Sequence, residues 1–181
     1  MSLKSNVIST MLFTAITGAS LSANAAPAAD VTLTGIITNT TCDITVNGGQ
    51  ATLNVGTFKT ADITGAGVLT QVGDTPLPVA LTCNDTENMD SAMGSLVVQG
   101  NTSNLDVSNK LFTSVTTGTV GFMLKLENNT DNIVANQPVT VPGTAGESAY
   151  NYTYKVGMAS ATAEAPAGAY SAPITVAYLV N

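Results

Sequence analysis

The C-terminal segment of the chain restricts most strongly how this sequence can fold. Ile174, Val176, Tyr178 and Val180 stand at every second position there and alternate with Thr175, Ala177 and Leu179. Such alternation predicts a β-strand that buries one face. Because the sequence ends one residue later, at Asn181, we expect one edge of this strand to find no partner later in the chain.

A second alternating segment, Val31–Ile37, lies towards the other end of the sequence. Taken together, the two segments indicate a fold that is completed by a strand from another molecule. The alternative is that they are the ordinary first and last strands of a self-sufficient domain. Periodicity alone does not separate these two possibilities.

Composition limits both the fold and the function. The 181 residues correspond to one domain, and 44% are hydrophobic although only 5% are aromatic and none is Trp. A core built from Val, Ile, Leu, Ala and Thr favours β structure. Five Lys, no Arg and twelve acidic residues give a net charge of −7. Such a chain cannot neutralise many phosphates, which argues against binding nucleic acid or anionic lipid.

Residues 1–25 have the pattern of a secretory signal peptide. Lys4 is followed by a modest apolar run at 7–17 and by Ala23-Asn-Ala25, a small-x-small cleavage site. The run is too short and too rich in Ser and Thr for a membrane anchor. We therefore expect an exported chain that begins at Ala26.

The two cysteines, Cys42 and Cys83, fit an exported protein. An even count in an oxidising compartment predicts one disulfide. By restricting the unfolded chain, this bond would stabilise the fold by about 4 kcal/mol. The sequence has no His, so Cys–His catalysis and Cys/His zinc sites are excluded. The acidic segment Asn84–Asp90 lacks calcium-loop spacing. We predict no enzyme activity, no catalytic residue, no metal site and no cofactor.

Short alternating segments separated by turn residues occupy the rest of the chain. The predicted strands are Thr40–Val46, Ala51–Val55, Leu77–Cys83, Ser95–Gln99, Val120–Leu126, Val139–Val141 and Tyr150–Met158. Turn clusters stand at 47–49, 100–104, 128–132 and 142–146. Short helices are predicted only at Thr57–Ile63 and Asp106–Phe112. This pattern predicts an all-β fold, a β-sandwich with Greek-key connections.

Several motifs follow one another in order along the chain: the run Val31-Thr-Leu-Thr-Gly35…Cys42, the spacing of Cys42 and Cys83, Leu53-Asn-Val-Gly56, Gly121-Phe-Met-Leu-Lys-Leu-Glu127, and Gly168 at the fourteenth position from the C-terminus. Together they resemble type 1-like fimbrial pilins, the subunits assembled by the chaperone–usher pathway. The resemblance covers the chain from Val31 onward. Two departures are that Val180 replaces the usual penultimate aromatic residue and that the segment before Cys42 is a few residues short.

The resemblance implies an incomplete immunoglobulin-like sandwich that is completed by donor-strand exchange. A periplasmic chaperone would first lend a strand, and an outer-membrane usher would exchange it for the extension of the next pilin. Residues 26–36 would be the donor, with Val31, Leu33 and Gly35 entering the neighbour's groove, and 37–181 the pilin domain. The acceptor groove and chaperone-binding strand would include Gly168, Ile174, Val176, Tyr178 and Val180.

The implied function is a structural fimbrial subunit on the cell surface that supports adhesion to host cells or surfaces. The alternative is a single-domain fimbrial adhesin, a polyadhesin, that binds a host receptor directly through the connections at 57–73 or 101–117. The sequence does not separate a major rod subunit from a minor adaptor.

Overall fold

The computed structural model describes residues 42–84, 92–142 and 147–180. Within these ranges the chain forms one short α-helix and seven β-strands. The strands are β1 (Cys42–Val46), β2 (Val72–Cys83), β3 (Ala92–Gly100), β4 (Val120–Leu126), β5 (Pro138–Pro142), β6 (Ala149–Ser160) and β7 (Ile174–Val180), and helix α1 spans Thr60–Ala66.

The strands form two antiparallel sheets that pack against each other. One sheet has the order β1-β2-β6-β4 and the other the order β5-β3-β7, and β1 lies against β7 across the sandwich. Their inward side chains form one core cluster. The predicted all-β sandwich is confirmed.

Alternation along the strands explains which side chains form this core. In β2 the residues Leu77, Val79 and Leu81 are buried, because every second side chain of a strand points to the same face of its sheet. Tyr154 in β6, the register partner of Leu77, lies beside them in the same sheet, and Leu96 in β3 belongs to the opposite sheet; both are fully buried. The alternation in the segment Leu77–Cys83 thus corresponds to one buried face of β2.

The predicted disulfide joins Cys42 to Cys83, with an S–S distance of 2.07 Å. The two residues are direct partners in the register of β1 and β2. Because β1 pairs only with β2 in the described part of the chain, the disulfide fixes an outer strand to the centre of its sheet.

The segment Ala51–Val55 was predicted as a strand, and this prediction is wrong. Leu53 and Val55 do pack against the core, but the segment belongs to neither described sheet. A strand needs a neighbour for its backbone groups, and here the Val55 carbonyl instead accepts a hydrogen bond from the Thr75 hydroxyl at 3.0 Å.

The two predicted helical pieces have different outcomes. The first is partly correct, since α1 begins at Thr60 rather than Thr57; Lys59 is still extended, with φ −79° and ψ 143°. The second, Asp106–Phe112, is wrong: this segment consists of turns around the Asp106 carboxylate. Local hydrogen bonds from an Asp side chain compete with a helix in this way.

None of the helices in the described part of the chain is both long and apolar enough to cross a lipid bilayer.

Candidate strand-acceptor edge

Strand β7 lies at an outer edge of its sheet. It pairs with β3 in a register that runs from Gly94 opposite Val180 to Gly100 opposite Ile174, and no other described strand pairs with it. In an antiparallel pair every second residue directs its N–H and C=O groups away from the partner. The outer edge of β7 therefore carries a row of backbone groups that can bind another strand.

The core beside this edge is only partly covered. Five inward residues of β1 and β7 pack against the main core but are only half-buried. They are Cys42, Ile44, Val46, Ile174 and Tyr178. Val176, at the middle of β7, is 8% exposed. The apolar side chains along this side thus keep part of their surface accessible.

The opposite side of the sandwich is closed by the chain itself. Residues 132–136 run between the sheets there: the Ile133 amide donates to the Leu124 carbonyl at 2.7 Å, and the Asn136 amide donates to the Val98 carbonyl at 2.9 Å. Ile133 and Ala135 are 4% and 6% exposed. Within the described ranges no further strand pairs with the outer edge of β1 or of β7, and this asymmetry defines the candidate site.

A cleft of about 670 Å³ lies close to the start of β7. Its walls are the segments 52–58 and 165–170, and side chains of Ile63, Val120, Phe122 and Met158 also line it. Gly168 stands in one wall, and the atoms nearest to where its Cβ would be, those of Tyr170, are at 3.6 Å. The cleft is lined by both apolar and uncharged polar groups and carries no Asp, Glu or Lys among its lining residues.

Tyrosine side chains form the other end of the site. Burial, together with the nearby Tyr150, raises the pKa of Tyr178. Burial, with smaller contributions from Tyr178 and Tyr150, raises the pKa of Tyr152 to about 12. The Tyr152 hydroxyl donates to the Pro142 carbonyl at 2.6 Å. These phenols are therefore neutral near pH 7 and add no charge to the site.

The predicted acceptor residues divide into those that the structure describes and those beyond it. Ile174, Val176 and Tyr178 share the inward face of β7, and Gly168 lines the cleft. Val180 pairs with Gly94 by register, but its side chain lies outside the described residues. The predicted donor residues Val31, Leu33 and Gly35 also lie outside them.

Sequence reasoning missed two parts of this site. The closing segment 132–136 shows no clear periodicity, so nothing local identified it. Phe58 was assigned to a predicted helix, yet it lines the cleft. The Gly56 that ends the alternating run Leu53-Asn-Val was the one available signal for a bend there.

The described ranges contain no candidate metal-binding site. No group of three or more His, Cys, Asp or Glu side chains is placed there to hold an ion. The site is instead suited to bind an extended peptide through backbone hydrogen bonds and apolar side chains.

No protein-family model matches the sequence, and no curated protein matches it either. Solved structures do match. The P pilus rod subunit PapA has 18% identity and a TM-score of 0.57, with 76% of this chain and 99% of that chain covered. The domain has the fold of a pilus subunit.

Two further structures have this pilus-subunit fold. A chain from the structure of a chaperone–usher pilus has 16% identity and a TM-score of 0.58, and the match covers 84% of this chain and 95% of that chain. The antigen and type I fimbria protein of Burkholderia pseudomallei has 18% identity and a TM-score of 0.53, with 77% and 99% covered. The resemblance to fimbrial pilins is confirmed at the level of the fold, and function is argued from the site.

Proposed function

We propose that this chain is a structural subunit of a fimbria and polymerises by donor-strand exchange, so that the fibre supports adhesion to host cells or surfaces. The observation that carries the proposal is the asymmetry of the sandwich. One side is closed by residues 132–136, whereas β7 on the other side has no second partner strand among the described residues.

The donor in this proposal is the segment 26–36 of another copy or of a related pilin. Val31 and Leu33 have the spacing that places two side chains on one face of a strand. Paired with β7, they would lie opposite two successive inward residues, Val176 and the half-buried Tyr178. Backbone hydrogen bonds supply affinity, and the alternate side chains supply specificity.

An exposed strand edge beside apolar surface favours aggregation, which is the reason to expect a periplasmic chaperone. An outer-membrane usher would then exchange the chaperone's strand for the donor. Each subunit donates at one end and accepts at the other, so the contact does not close on itself and builds a filament. The signal-like residues 1–25 supply the export to the cell surface that this assembly requires.

The experiment is to produce the mature chain in a bacterial periplasm with and without a chaperone of this pathway. We expect soluble subunit only with the chaperone, and fibres only when the usher is also present. A stable, folded monomer produced without the chaperone would contradict the proposal.

Substitutions in the donor segment test the strand assignment with a matched control. Val31→Asp with Leu33→Asp places charges on the face that should enter the groove, whereas Thr32→Asp with Thr34→Asp places the same charges on the opposite face. We expect the first pair to bind chaperone but to abolish polymerisation, and the second pair to polymerise. Equal polymerisation by the two variants would exclude this donor strand.

A further inference from the structure

The connection from β3 to β4, residues 101–119, exposes apolar side chains to solvent; we call it the tip loop. Val107 is 95% exposed, Val115 56% and Leu105 49%. Of the four large hydrophobic residues that are exposed in the described part of the chain, three lie in this loop. This concentration of exposed apolar side chains in one loop makes the loop a candidate binding surface.

The tip loop is held in one shape by its own hydrogen bonds. Asp106, which is 1% exposed, accepts from the Ser108 amide at 2.9 Å, the Lys110 amide at 2.6 Å and the Leu111 amide at 2.7 Å, as well as from the Ser108 hydroxyl. The Asn104 amide donates to the Thr116 carbonyl at 2.7 Å. The bonds to Asp106 thus fix the backbone on both sides of Val107.

We propose that the tip loop binds the folded body of the neighbouring copy that donates its strand. This contact is additional to strand exchange, although it rests on the proposed function because strand exchange brings the neighbour into position.

The position of the tip loop supports this partner. All described ladders are antiparallel, so a donor that extends the sheet in the same manner starts near Val180 and ends near Ile174. The neighbour's own domain follows the end of its donor segment. The tip loop leaves β3 at Gly100, the register partner of Ile174, which places its base about 10 Å, two strand spacings, from the donor's end.

The chemistry of the tip loop also fits a second copy of this chain. Its ionisable residues are Asp106, which is buried, and Lys110. Its one aromatic residue, Phe112, is fully buried, so the loop offers no exposed ring on which a sugar could stack. Copies of a chain with a net charge of −7 repel each other least where the surface between them carries no exposed carboxylate.

Photo-cross-linking in assembled fibres tests the proposal. Val107 is replaced by p-benzoylphenylalanine, and Thr140, an exposed residue in the middle of β5 that pairs with Ser95 of β3 and lies away from both ends of the sandwich, is replaced in the same way as a control. We expect irradiation to join residue 107 to a second copy of this chain, and the control to give no such product above background. Mass spectrometry of the product then identifies the contact surface.

The outcomes separate this contact from strand exchange. Fibres that form normally but give no cross-link at residue 107, or give one only to the chaperone, the usher or a host protein, overturn the tip-loop contact and leave strand exchange intact. Failure of the unmodified chain to form fibres overturns the proposed function itself.

A charge substitution gives a second readout. Val107→Asp should reduce the persistence length of the fibres in electron micrographs, because the contact that braces adjacent subunits is lost. Thr140→Asp adds the same charge to the middle of β5, away from both ends of the sandwich, and should leave the persistence length unchanged. Fibres of equal persistence length in the two variants would contradict the contact.

Discussion

The ring of Tyr178 in β7 lies directly against Gly94 in β3. A Cβ atom at residue 94 would stand 2.8 Å from the Tyr178 hydroxyl oxygen and would also overlap the Leu179 carbonyl oxygen. The backbone of Gly94 has a φ of 152°, which L side chains rarely adopt. The close packing of β7 on β3 thus depends on a missing side chain.

Gly94→Ala is therefore expected to lower the free energy of unfolding by about 1–3 kcal/mol, the usual cost of overpacking a filled site. Urea unfolding of the subunit in complex with a synthetic peptide of residues 26–36, the donor segment of the proposed function, measures the change, and the same complex is used for the unfolding experiments below. Gly65→Ala is the control, because a Cβ at that helix residue meets nothing within 4 Å. It should leave stability unchanged or raise it slightly. Equal effects of the two substitutions would show that β7 is not packed as described.

The disulfide gives a second prediction. Cys42→Ala combined with Cys83→Ala should lower the free energy of unfolding by about 2–5 kcal/mol, because the unfolded chain is no longer cross-linked. Since β1 is held to the sheet at this point, hydrogen exchange of the β1 amides should rise more than that of β6. Uniform exchange in the two strands would show that the bond does not act on β1 in particular.

Asp106 gives a third prediction. Burial of the Asp106 carboxyl would by itself raise its pKa, but the hydrogen bonds from Ser108, Lys110 and Leu111 outweigh burial, and the pKa is lowered. Because the folded pKa lies below the unfolded value of about 3.9, this group stabilises the fold above about pH 4, and that contribution is lost as the pH falls through the folded pKa.

Asp106→Asn should cost about 1–3 kcal/mol at pH 7, since the amide nitrogen cannot accept the bonds that a carboxylate oxygen accepts. Between about pH 5 and pH 2 the variant should also lose less stability than the unmodified protein, because it lacks the carboxyl group that takes up a proton in this range. Urea unfolding across this pH range measures both effects. Asp131→Asn, at an exposed position, is the control, and an equal cost there would remove the special role of Asp106.

Tyr152 gives a fourth prediction, at alkaline pH. Its folded pKa of about 12 exceeds the unfolded value of about 10, so the neutral phenol stabilises the fold below about pH 10. This contribution is lost as the pH rises towards 12. Tyr152→Phe should lower stability at pH 7 by about 0.5–1.5 kcal/mol through the lost bond to the Pro142 carbonyl.

Between about pH 10 and pH 12 the stability of the Tyr152→Phe variant should fall less steeply with rising pH than that of the unmodified protein, because a Phe side chain cannot ionise. Thermal unfolding followed by circular dichroism across that range measures the difference. An unchanged slope would mean that Tyr152 ionises no less readily in the folded state than in the unfolded chain.

Much of the fold was readable from local patterns. The alternation of Leu77, Val79 and Leu81 predicted a buried face, because a strand exposes and buries successive side chains in turn. The cysteine count predicted the Cys42–Cys83 bond. Both inferences depend on residue types and spacing within short segments, which the sequence displays directly.

Other features depend on distant parts of the chain and could not be read in this way. Leu53 and Val55 alternate as strand residues do, yet a strand also requires a neighbour, and the described structure supplies none. The spacing around Asp106 suggested a helix, but the amides of Lys110 and Leu111 bind its carboxylate instead. Whether such a segment forms local hydrogen bonds to a side chain or the hydrogen bonds of a helix depends on the parts of the chain that pack around it.

The sequence by itself determined that this chain is an all-β domain with a disulfide and with alternating segments near both ends. Only the tertiary structure decided which side of the sandwich is open. The packing of residues 132–136 between Leu124 and Val98 closes one side, while the described chain leaves β7 paired on one edge. Closure of a sandwich depends on contacts between residues far apart in sequence, and such contacts leave no periodic trace within a single segment.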